Sequence, residues 1–146
     1  MNSKRVNLKP YLFILLLFVI DIVAFNFLER QLICALLCLY VFQITRPVAP
    51  GRILLSTILL FIQSALYYGR FGLQFIYLAP LLLVGFCLQK TFYKSMFYPY
   101  LLMIIALVCQ VGIESYILGL STSFSYTISQ ICVNIGVLWI ISLTYE

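Results

Sequence analysis

The chain has 146 residues, of which 64% are hydrophobic and 9% charged, with a formal net charge of +5 and no histidine. About a quarter charged is usual for a water-soluble domain, so too little polar surface exists to coat a globule, and lipid is the solvent to reason with. The missing histidine removes the commonest general base and the commonest haem or zinc ligand, which weighs against hydrolytic and redox chemistry. The nine basic residues form no long Lys or Arg run, so no nucleic-acid footprint is expected.

The apolar runs predict an all-α, polytopic integral membrane protein with six transmembrane helices in one compact bundle, a single domain over 1–146. The predicted spans are 11–28, 31–45, 53–68, 73–89, 97–115 and 127–144. Each approaches the roughly 20 residues that a helix needs to cross about 30 Å of hydrocarbon. The runs are continuous and lack the in-out alternation of a membrane barrel. Ahead of the first span lies a basic stretch that superficially resembles a secretory signal. Phe25, Phe27 and Leu28 occupy the place where small residues would permit cleavage, so the run is expected to be retained.

Between the first two spans stands only Glu29-Arg30. The stretch 11–45 is too long for one crossing, so a tight helical hairpin is expected, with a re-entrant second segment as the alternative. Arg46-Pro47-Val48-Ala49-Pro50-Gly51 cannot continue a helix, since proline lacks an amide hydrogen and restricts its predecessor, and Gly51 permits a reversal. Tyr68-Gly69-Arg70-Phe71-Gly72 forms the next turn, and Lys90 through Ser95 the one after. Pro99 suits a helix start, whereas Pro80 is expected to kink the fourth span and free a carbonyl near Ile76. Under the positive-inside rule, Lys4, Arg5, Lys9, Arg46, Arg52, Lys90 and Lys94 fall on the inner side, and Arg30 and Arg70 outside. Both termini are therefore expected in the cytoplasm, with the basic loops touching anionic lipid headgroups.

Polar groups inside the spans are the functional pointers, because a carboxylate at bilayer depth is costly unless paired, protonated or wet. Asp21 lies late in the first span and Glu114 near the outer end of the fifth. Glu114 shares a helix face with Gln110, and Gln130 with Asn134 on the sixth. If the two faces meet, they tie the fifth and sixth helices together, with Gly112 and Gly136 allowing close approach; the other placement puts Glu114 and Asp21 near the headgroups. Gln110, Glu114, Gln130, Asn134 and Asp21 form the candidate partner- or ligand-facing seam. Gln43, Gln63 and Ser64 are expected to hydrogen-bond between helices.

Cys34, Cys38, Cys87, Cys109 and Cys132 fall within spans and read as small apolar residues. No catalytic or metal-ligating constellation is present, and no cofactor is expected. The tyrosines near span ends, Tyr11, Tyr67, Tyr68, Tyr98, Tyr100 and Tyr126 among them, read as interfacial anchors.

Three stretches carry a family resemblance: Leu36-Leu37-Cys38-Leu39-Tyr40 through Arg46-Pro47, Gly69-Arg70-Phe71-Gly72-Leu73, and Val133-Asn134-Ile135-Gly136-Val137-Leu138-Trp139. In this order along the chain they resemble the rod shape-determining protein MreD family of bacterial inner-membrane proteins. The chain departs from the family where an acidic residue is common in the third span, offering Gln63 and Ser64 instead, and its fifth-span acid is shifted by about a turn. The resemblance implies a non-enzymatic scaffold of cell-wall elongation in the bacterial inner membrane. Its implied partners are membrane lipids, an MreC-like single-span protein, and through it the wall glycosyltransferase and transpeptidase.

The alternative is the substrate-binding membrane subunit of a vitamin transporter of the energy-coupling factor type. That reading requires a cavity, for which Glu114, Gln110, Asn134 and the 120–126 loop are the expected lining. A lipid-modifying membrane enzyme is disfavoured because no Asp, Glu, His or Ser residues cluster at catalytic spacing.

Overall fold

The computed structural model describes residues 7–29, 31–46, 48–70, 73, 75–92, 95–117, 119 and 121–145. These contain six helices and no strand: α1 (Lys9–Leu28), α2 (Ala35–Thr45), α3 (Pro50–Tyr68), α4 (Phe75–Phe92), α5 (Tyr98–Tyr116) and α6 (Phe124–Tyr145). Among the described residues, four helices are long and apolar enough to cross a membrane: α1, α3, α5 and α6. In lipid the backbone must satisfy its own hydrogen bonds, and a continuous apolar run does so most simply as a helix. Proline opens α1, α3 and α5, where its missing N–H costs nothing. Helix α3 stops at Gly69, whose left-handed φ of 64° lets its N–H donate to the Ala65 carbonyl at 2.9 Å.

Five of the helices match the sequence reading to within three residues at either end. The second does not. Residues 31–34 are not helical, and α2 begins only at Ala35 and runs for 11 residues. The expected hairpin of Glu29-Arg30 is instead a longer break, begun by Glu29 at φ 53°; Arg30 lies outside the described residues. The physical reason is tertiary. Side chains of α1 and α6 satisfy the backbone around residues 31–36, so no helical turn is needed there.

This short helix is the post around which the bundle is built. It packs against α1, α3, α4, α5 and α6, and every residue of it except Ile44 is buried. Leu36, Leu39 and Phe42 fill the centre alongside Ile14, Leu60 and Leu102. Where lipid surrounds such helices no hydrophobic effect drives them together, and close packing and interhelical hydrogen bonds hold them. Ser56 of α3 supplies one such bond, donating to Gln43 Oε1 of α2 at 2.9 Å. By contrast, α1 turns Leu12, Leu16, Val19 and Phe27 outward, and α6 does the same with Trp139, Ile140 and Leu143.

Four local expectations are corrected. Gly51 does not form the reversal but sits in α3, where a methyl group in place of its hydrogen would lie 3.1 Å from the Tyr11 hydroxyl. Its missing side chain leaves room for the tip of the Tyr11 side chain. Lys90 belongs to α4, not to a loop. Tyr98 is no surface anchor: it is buried, and its hydroxyl donates to the Gly85 carbonyl between α5 and α4. Gly112 and Gly136 support no close approach, since a methyl group at either would meet nothing within 4 Å. Pro47, Phe71, Gly72, Tyr93 and Lys94 lie outside the described residues.

Candidate functional site

Buried non-helical backbone is tolerated only where other groups satisfy it, and the 31–36 stretch shows how. Both oxygens of Asp21 on α1 accept backbone hydrogens, from Ala35 at 2.7 Å and Leu36 at 2.9 Å. A helix start leaves its first N–H groups without partners. Here α2 has no side-chain cap of its own, and Asp21 caps it from another helix, with a charge suited to that end of the dipole. Asn134 on α6 accepts from the Cys34 N–H at 2.7 Å and donates to the Leu32 carbonyl at 2.9 Å. Gln130 donates to the Gln31 carbonyl at 2.8 Å.

The sequence-predicted seam is therefore brought together, but not as a direct α5–α6 tie. Among the described residues, Gln110 and Glu114 form no hydrogen bond with Gln130 or Asn134; both pairs reach the broken segment between them. Gln110 donates to Gln31 Oε1 at 2.7 Å and to Glu114 Oε1 at 3.1 Å. The Cys34 thiol, a weak donor, lies 3.8 Å from Gln110 Oε1, and Cys38 donates weakly to the Asn134 carbonyl at 3.5 Å. Asp21, only 1% exposed, is an interior group and not a headgroup contact. Gln63 of α3 joins the same network, donating to Asp21 at 3.2 Å and to the Tyr67 hydroxyl at 2.9 Å.

Above this network lies a cavity of about 220 Å³, at the end of the bundle where α1, α3 and α5 finish and α6 begins. Phe25, Glu29 and Gln31 line it from the α1 side, and Tyr67, Tyr68 and Glu114 from α3 and α5. Ser121, Thr122 and Tyr126 complete the wall. The Phe25 and Tyr67 rings stack at 4.0 Å and 17°, and Tyr68 meets Tyr67 edge-on at 6.4 Å.

Glu114, 7% exposed, links network to cavity. The Tyr68 hydroxyl sits 2.7 Å from Glu114 Oε1 and 2.7 Å from Gln31 Oε1, and its one hydrogen serves one of them at a time. No Lys or Arg of the described residues lines the cavity, and the described residues hold no group of three His, Cys, Asp or Glu placed to bind a metal.

Of the seam residues, Glu114 alone lines the cavity, together with part of the 120–126 stretch. Gln110 and Asn134, named as lining for the transporter alternative, stay below in the network. The cavity residues that the sequence reading missed are Phe25, Glu29, Gln31, Tyr67 and Tyr68. Helical spacing held a faint signal, since Tyr67 and Tyr68 fall four residues after Gln63 and Ser64 and so share their inward faces. Comparison of the chain with protein-family models, curated proteins and solved structures gives no match.

Proposed function

We propose that this is a six-span, non-enzymatic scaffold of bacterial cell-wall elongation, set in the inner membrane with both termini cytoplasmic. It binds an MreC-like single-span protein and, through it, the wall glycosyltransferase and transpeptidase. The observation that carries the reading is the use made of the interior polar groups. Asp21 holds the first amides of α2, Asn134 and Gln130 hold the backbone of residues 31–34, and Gln110 holds the side chains of Gln31 and Glu114. Such a bonded centre is a rigid post rather than a reaction centre, and it leaves the outward apolar faces of α1 and α6 as the surface offered to membrane neighbours.

Length supports six crossings despite the short α2. Eleven helical residues rise about 16 Å, and the four non-helical residues before them reach up to about 13 Å. At full extension the two together reach about 30 Å, the thickness of the hydrocarbon; beside Gln130 and Asn134 the four residues rise less than that maximum. Lys9, Arg46 and Arg52 lie at the end of the bundle opposite the cavity, which the positive-inside rule makes cytoplasmic.

Two measurements test the proposal. A tagged chain co-expressed with an MreC-like protein is expected to retain it in mild detergent, while an unrelated single-span protein is lost; equal recovery of both removes the partner claim. In a background without the native thiols, Ser121→Cys is expected to react with an impermeant maleimide from outside intact cells. Leu8→Cys and Val48→Cys should react only after lysis. Labelling of all three from one side contradicts the topology.

A second reading, the substrate-binding subunit of a vitamin transporter, is favoured by the cavity over Glu114, Ser121, Thr122 and Tyr126. A small molecule retained through purification, without any single-span partner, would select it.

A further inference from the structure

We propose that the cavity at the α1–α3–α5 end is a binding site for a small organic cation, a one-ring amine in size. The inference stands on the cavity and is independent of the scaffold reading. Three observations converge on that ligand class.

The first is charge. Glu29 and Glu114 both line the cavity and no basic side chain of the described residues does. Glu114 is more than nine-tenths buried, and both its hydrogen bonds fall on Oε1. Oε2 has no partner among the described residues and is left to the space the side chain lines. Two neutral donors on one oxygen leave the charge of a buried carboxylate without a counter-ion, which a cation in the cavity would supply. Glu29 stands at the C-terminal end of α1 and makes no hydrogen bond among the described residues.

The second is the wall material. The stacked Phe25–Tyr67 pair, Tyr68 and Tyr126 line the same cavity as the two carboxylates. Ring faces attract ammonium groups through their quadrupole, most strongly where water is sparse. A bare metal ion would use the oxygens of this wall but not its carbon surface, which an organic cation covers as well. An organic ammonium compound uses both features at once: the charge meets the carboxylates and the carbon skeleton meets the rings. The third is size. About 220 Å³ falls below the roughly 300 Å³ at which pockets for drug-sized ligands begin, which fits a single ring with a short amine arm. On the proposed orientation the cavity faces the outside, where a free amine arrives without crossing the membrane.

Calorimetry on the detergent-purified chain, at fixed ionic strength, tests this with phenethylammonium, 2-phenylethanol and phenylacetate, which share a ring and differ in charge. Phenethylammonium is expected to bind at least tenfold more tightly than the alcohol, and phenylacetate not at all. Glu114→Gln is expected to weaken amine binding at least tenfold. Because Glu114 also belongs to the network, Glu29→Gln serves as the variant that leaves the fold intact, with an expected loss of at least fivefold. Equal affinity for amine and alcohol overturns the proposal, as does unchanged affinity in folded Glu29→Gln. So does absence of binding, or displacement by sodium or calcium chloride as effective as the amine itself. None of these results alters retention of an MreC-like protein, so the two readings fail separately.

Discussion

Asn134 on α6 pairs with the backbone around Cys34, a hundred residues earlier, as one peptide group pairs with another. Its Oδ1 accepts from the Cys34 N–H at 2.7 Å while its Nδ2 donates to the Leu32 carbonyl at 2.9 Å. The same Nδ2 also lies 2.7 Å from the Gln130 carbonyl of its own helix. A single amide thereby supplies one acceptor and one donor to the broken segment, to which Asp21 and Gln130 add the rest of the side-chain bonds described above.

Asn134→Ala is therefore expected to cost more than an ordinary helix contact. It orphans the buried Cys34 N–H, at about 1–3 kcal/mol for an unsatisfied buried group, and removes the donor to the part-buried Leu32 carbonyl, which costs less. Reversible unfolding in mixed detergent micelles should show a loss of about 2–4 kcal/mol. A loss near the ~0.6 kcal/mol average for interhelical hydrogen bonds in membranes would mean that the segment finds other partners.

Asp21 should show a graded series. Asp21→Ala leaves both the Ala35 and Leu36 N–H groups without an acceptor, whereas Asp21→Asn retains one carbonyl oxygen for one of them. The expected order of unfolding free energy is wild type, then Asn, then Ala, with steps of about 1–3 kcal/mol. Asn as damaging as Ala would show that the charge at the α2 start, and not the count of acceptors, is what matters.

The Ser56–Gln43 bond between α3 and α2 is isolated from the outer network, and Gln43 Nε2 has no partner among the described residues. Ser56→Ala alone is expected to cost about 1 kcal/mol, since it strands the Gln43 oxygen as well. Combined with Gln43→Leu it should cost less than the sum of the two singles, because replacing both partners by apolar groups leaves nothing unsatisfied. A double-mutant cycle measures the coupling, and strict additivity would contradict the contact.

Tyr68→Phe separates cavity from network. It removes the hydroxyl between Gln31 and Glu114 and keeps the ring beside Tyr67. The expected stability loss is about 0.5–1.5 kcal/mol. Phenethylammonium binding should change less than it does in Glu29→Gln, because the aromatic wall survives. A larger loss of binding than in that variant would place the hydroxyl, not the carboxylates, in charge of recognition.

Composition and hydrophobic runs by themselves determined that the chain is helical and where most helices lie. Pro99 marks one start and Gly69 one end, because these are properties of the local backbone that no neighbour has to supply. The pairing of Gln110 with Glu114, and of Gln130 with Asn134, was legible for the same reason: residues four apart share a helix face. Only the tertiary structure decided what those faces meet. Nothing in 31–45 announces that its first four residues abandon the helix, since the groups that permit it, Asp21 and Asn134, are 14 and 100 residues from the amides they hold. The cavity is likewise a product of three helix ends and one loop brought to the same level. Run length and periodicity describe one helix at a time, whereas a buried backbone break and a pocket exist only between helices.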